Sequence, residues 1–66
     1  MKMKKELISK IMNNAIYGAA TNHGTYTYKA NVFTGEIFRC RRGDEDREWI
    51  DNDGSASGAW TLVAHA

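Results

Sequence analysis

The sequence predicts an α+β fold in which one N-terminal amphipathic helix packs on a three- or four-stranded antiparallel sheet, in the order α-β-β-β-β. Two patterns carry this expectation: an apolar period of three to four over the first twenty residues, and a period of two that replaces it from residue 25. Length supplies the third argument. At 66 residues the chain holds one domain, residues 1–66, close to the size below which a buried core only just offsets the entropy of ordering. Self-association would relieve that deficit.

The helix comes first. Leu7, Ile8, Ile11, Met12, Ala15, Ile16 and Ala19 recur at spacings of three and four, which places them on one stripe of a helix from about residue 3 to 20. Glu6 precedes Lys10 by four in the favourable order, Asn13 and Asn14 weaken the middle, and Asn22 or Gly24 supplies the left-handed residue that ends it. Lys5, Ser9, Lys10, Asn13 and Tyr17 form the solvated face.

The first strand follows. Tyr26, Tyr28, Ala30 and Val32 alternate with Thr25, Thr27, Lys29 and Asn31. Gly35 marks a hairpin into a second strand, residues 37–42, where Phe38 and Cys40 alternate with Arg39 and Arg41. A two-residue loop, Thr34-Gly35, would put arginines on the tyrosine face. A three-residue loop with Gly35 left-handed pairs Ala30 with Phe38 and Tyr28 with Cys40, keeps one face apolar, and is the preferred register. A loop at residues 43–46 then leads into a third strand, residues 47–51, with Trp49 beside Cys40 and Glu48 opposite Arg41. Residues 52–58 read as a polar, glycine-bounded loop and residues 59–64 as the last strand. In this arrangement the helix stripe meets Tyr26, Tyr28, Phe38, Trp49, Trp60 and Leu62.

Charge is unevenly distributed. The net charge is +1, yet residues 1–43 carry eight Lys and Arg against Glu6 and Glu36, while residues 44–53 carry six carboxylates against Arg47. The preferred register gathers Lys29, Arg39 and Arg41 on the sheet face away from the helix, with Lys29 directly opposite Arg39. Like charges so placed need a counter-charge or full hydration. Three sources compete: Glu48 and the Asp44-Glu45-Asp46 loop of the same chain, a phosphate backbone, or an acidic protein surface, including that of a second copy. The residues expected to contact a partner are Lys29, Phe33, Arg39, Arg41, Arg42, Asp44, Glu45 and Asp46. Phe33 belongs with them because a side chain at the hairpin tip cannot reach the helix side and is expected to be exposed.

No cofactor or metal site is expected. Reading Asp51, Asp53 and Gly54 as positions three, five and six of a calcium loop puts Trp49 and Trp60 where its first and last carboxylates belong. Cys40 is the sole cysteine, so no intramolecular disulfide forms and a reducing, cytoplasmic setting is expected. Residues 7–20 are interrupted by Lys10, Asn13 and Asn14, so no signal-peptide or membrane-spanning run is expected. Catalysis has little support, because Cys40 falls on a buried face that raises a thiol pKa, and neither His23 nor His65 sits in a recognisable motif. Arg39, Arg41, Tyr28 and His23 are nevertheless the inventory with which a small ribonuclease-like toxin could work. The expected function is a small non-enzymatic binding protein, dimeric, acting as an accessory factor or inhibitor of the phage or mobile-element type on a host protein. The alternative is a nucleic-acid-binding regulator using the basic sheet face.

Overall fold

The computed structural model describes residues 3–45 and 60–66. One helix, α1 (Lys5–Ile16), precedes four strands, β1 (Thr21–His23), β2 (Tyr26–Ala30), β3 (Glu36–Arg41) and β4 (Thr61–His65). The strands form an antiparallel sheet in the order β1-β2-β3-β4, with the helix packed on one face. The expected third strand, residues 47–51, with its Trp49 and Glu48 pairings, lies outside the described residues. Among them, no helix is long and apolar enough to cross a membrane.

The helix is shorter than its apolar stripe. Gly18, at φ +75°, is the residue that ends it, in place of the expected Asn22 or Gly24. The Ala19 amide donates to Asn14 O at 2.9 Å and the Gly18 amide to Ala15 O at 2.9 Å, the paired bonds of a Schellman cap. Truncation strands the last turn of the stripe. Ile11 is 1% exposed and Leu7, Ile8 and Met12 pack around it, whereas Ile16 is 67% exposed. Asn14, expected to weaken the helix, ties it to the sheet by donating from Nδ2 to Thr21 Oγ1 at 2.7 Å.

That bond lands on β1, a strand too short for a period of two to be visible. His23 pairs with Tyr26 across a two-residue Gly24-Thr25 turn. Gly24 takes φ +63° and Thr25 does not enter the positive region, the arrangement of a type II′ hairpin.

The loop between β2 and β3 overturns the expected register. Asn31 is buried, and its Oδ1 accepts the amides of Phe33 at 2.9 Å and Thr34 at 3.3 Å. Its carbonyl accepts the Gly35 amide at 2.8 Å, and its own amide donates to Glu36 O at 2.9 Å. Asn31 thus winds the chain into a helical turn closed by Gly35 at φ +80°. The loop is four residues, 32–35, so Ala30 pairs with Ile37, Tyr28 with Arg39 and Lys29 with Phe38.

A slip of one residue exchanges the faces of β3. Ile37 replaces Phe38 in the core beneath the helix, where it joins Ile11 and Tyr28, with Tyr26, Ala30, Val63 and Ala64 around them. Phe38, Cys40 and Trp60 form a second buried cluster on the opposite face. Leu62, expected to meet the helix, pairs with Phe38 and is exposed, beside an irregularity at Ile37/Phe38 in the β3–β4 ladder.

Candidate functional site

The same slip dissolves the expected patch of Lys29, Arg39 and Arg41. Lys29 stays on the face away from the helix, its Nζ 5.7 Å from the centroid of the Trp60 ring. Arg39 and Arg41 cross to the helix side as partners of Tyr28 and Tyr26. Lys29 therefore opposes Phe38, and the like-charge pair expected across the strands does not exist.

A different basic cluster replaces it, at the end of the sheet beside the start of α1. The Arg39 guanidinium lies over the Tyr26 ring at 4.0 Å from its centroid. That distance suits a cation–π contact, which holds the guanidinium against the ring. His23 meets Tyr28 edge-on at 6.4 Å, and Tyr26 lies 6.4 Å from Tyr28. These groups surround a cleft of about 400 Å³ whose lining includes Met3, Leu7, Lys4, His23, Tyr28 and Arg39. A second hollow, lined by Gly24, Thr25, Tyr26, Arg41 and Arg42, shares Tyr26 with the first. Arg41 and Arg42 are exposed, and the Arg42 amide is anchored to Thr25 O at 3.0 Å. Lys4 gives the helix no side-chain cap, and Glu6 in the first turn complements the positive end of the helix. Among the described residues no carboxylate forms an ion pair with Arg39, Arg41 or Arg42.

Of the acidic residues, Asp44 lines a hollow with Tyr26, Arg39 and Arg41, and Glu45 lies close enough to Arg42 to feel its charge. Glu45 folds back on the sheet: its Oε1 accepts the Gly43 amide at 2.6 Å and its Oε2 accepts from the buried Thr27 hydroxyl at 2.9 Å. Thr27 Oγ1 also lies 2.8 Å from Asn22 Oδ1, and one hydroxyl proton serves both acceptors. Hydrogen bonds from Glu45's own backbone amide, from Thr27 and from Gly43 hold its carboxyl below the ordinary glutamate range. Glu45 is thus engaged within the fold. Asp44 is half-buried, its amide donating to Arg41 O at 3.0 Å. Asp46 lies outside the described residues.

Phe33 is 93% exposed, as its place at the hairpin tip implies. It rims a separate groove of about 160 Å³ walled by Ala15, Gly18, Ala19, Ala30 and Val32, at the other end of the helix. A twelve-residue helix is about 18 Å long, so the exposed aromatic and the basic cluster are distinct surfaces.

Cys40 is buried, but against Phe38 and Trp60 rather than under the helix. Burial pushes its thiol up, and the carboxylates of Glu45 and Asp44 push the same way. Of the ribonuclease-like inventory, His23, Tyr28 and Arg39 do share one cleft, with Arg41 next to it. Lys4 and Tyr26 escaped the sequence reading as members of this cluster, since only β1 and the true β2–β3 register bring them to Arg39. No group of His, Cys, Asp and Glu among the described residues is placed to hold a metal ion. Comparison with known proteins finds no matching family model, no matching curated protein and no matching solved structure, so geometry alone carries the functional reading.

Proposed function

We propose that this protein is a small non-enzymatic binding protein that holds an acidic segment of a protein partner against the basic end of its helix side. The Arg39 guanidinium, held at 4.0 Å over Tyr26, is the observation that supports it. An arginine held in this way is restrained before the ligand arrives, which lowers the entropy lost on forming a contact with a carboxylate. Arg41 and Arg42 extend the same surface. Obstruction of a host protein's acidic surface, as an accessory factor or inhibitor, is the form of activity that suits a chain of this size.

A nucleic-acid strand fits the site less well. Single strands are held by aromatic faces interleaved with cations. Here the Tyr26 face is covered by Arg39, Tyr28 is buried, and the exposed Tyr17 and Phe33 belong to the opposite end of the helix. The reversal Arg39→Glu with Arg41→Glu should weaken partner binding by about 100-fold or more, since charged hydrogen bonds of about 1.5–3 kcal/mol become repulsions. Titration calorimetry with a partner isolated on the tagged chain from host lysate measures it, and unchanged affinity would sink the reading. An affinity that falls log-linearly with salt, and that nuclease treatment abolishes, would assign the surface to phosphates.

One specific observation favours a second reading, RNA cleavage: His23, Tyr28 and Arg39 line one cleft together with Lys4. His23 would act as general base on a ribose hydroxyl, and Arg39 would stabilise the phosphorane charge. Against it, among the described residues no carboxylate and no second histidine lines that cleft. Turnover of a fluorogenic RNA that is lost in His23→Gln would establish cleavage in place of binding.

A further inference from the structure

We infer that the cleft beside the start of α1 takes one large apolar side chain flanked by carboxylates, so that the partner's recognition element is an acidic peptide segment interrupted by an aromatic or long aliphatic residue. This deepens the acidic-partner reading above and rests on it. Basic surfaces that merely attract acidic chains are flat and wet. This one is not, because Met3, Leu7 and Tyr28 give the cleft an apolar lining while Lys4, His23 and Arg39 supply its polar groups, and among the described residues no carboxylate lines it. Its volume of about 400 Å³ falls near the bottom of the range of about 300–1,000 Å³ usual for ligand pockets, room for one large side chain and its adjoining backbone.

Charge fixes what surrounds that side chain. Lys4 and Arg39 stand at the cleft, and beyond Tyr26 the second hollow presents Arg41 and Arg42. A peptide with its apolar residue in the cleft therefore has cations available on both sides of Tyr26. An apolar anchor in a pocket with charged pairs around it is the usual economy of a small interface, where one buried side chain supplies most of the affinity and the charges supply orientation and encounter rate. A purely acidic run would leave the apolar lining wet, and a purely apolar segment would bring no carboxylate to Lys4 and Arg39 at the cleft.

The test is an amide NMR titration of the full chain with three blocked peptides, Asp-Glu-Phe-Asp-Glu, Asp-Glu-Ala-Asp-Glu and Asn-Gln-Phe-Asn-Gln, and with oligo-dT. The first peptide should shift the amides of Met3, Leu7, His23, Tyr28 and Arg39 saturably, and each of the other two should bind at least about tenfold more weakly. Lys4→Glu, an exposed substitution whose spectrum reports its folding directly, should weaken the first peptide several-fold. Equal binding of the Phe and Ala peptides, with shifts confined to Arg41 and Arg42, would overturn the cleft's role and leave the acidic-partner reading standing. Shifts with oligo-dT and none with any peptide at millimolar concentration would overturn both.

Discussion

Glu45 shows how a residue from the most acidic stretch of the chain can serve the fold. Its carboxyl is held below the ordinary range by hydrogen bonds that only the charged form fully accepts. A carboxylate with a depressed folded pKa stabilises the protein above its unfolded value, and that stabilisation is lost as pH falls through the folded value. Acid should therefore loosen the turn at Gly43 before it unfolds the sheet, seen as earlier hydrogen exchange at the Gly43 amide, and Glu45→Gln should flatten this dependence. Cys40 behaves in the opposite sense: its raised thiol pKa and burial predict slow native modification by a thiol reagent, at least about 100-fold slower than in denaturant. Equal rates would show that the Phe38–Trp60 cluster does not shield it. Two glycines separate strain from contact. Gly18→Ala meets nothing within 4 Å and should cost only the left-handed backbone, about 1 kcal/mol. Gly35→Ala adds a Cβ 3.2 Å from Ala66 O and from His65 Cε1, so its melting temperature should fall clearly further than that of Gly18→Ala.

Among the elements, those whose period spans several turns or pairs were legible and those fixed by one side chain were not. The stripe from Leu7 to Ala15 announced the helix, and alternation announced β2, β3 and β4. The helix end was misplaced because Gly18 breaks no apolar pattern; only its left-handed cap reveals it. Thr21–His23 was missed because three residues show no alternation, although His23-Gly24-Thr25-Tyr26 contains the glycine that a type II′ turn requires. The register failed for an instructive reason. Counting arginines per face favoured a three-residue loop, but Asn31 makes four hydrogen bonds in a four-residue one, and arginine is long and amphipathic enough to lie on a tyrosine at a core margin. The candidate cluster depends on the same register: His23, Tyr28 and Arg39 could be grouped from the sequence, while Tyr26 and Lys4 join them only through β1 and the observed β2–β3 pairing. Asn31→Ala, which strips the acceptor from the Phe33 and Thr34 amides, should cost about 1–3 kcal/mol, measurable by chemical denaturation.

For the whole molecule, size makes each core contact a large fraction of the total. A chain of this length is expected to have a stability of only about 3–10 kcal/mol. Ile11, 1% exposed between Tyr28 and Ile37, should therefore be close to indispensable: Ile11→Ala at about 2–5 kcal/mol lowers the melting temperature by more than about 10 °C or abolishes folding. The sheet also divides the basic residues between two faces, Lys29 with Trp60 on one and Arg39 with Tyr26 on the other. That division depends on the register set at the Asn31 turn, since sliding β3 by one residue would bring the two cations face to face and withdraw Ile37 from beneath the helix. The amide side chain at residue 31 thus helps fix which side of β3 faces the helix and which faces away.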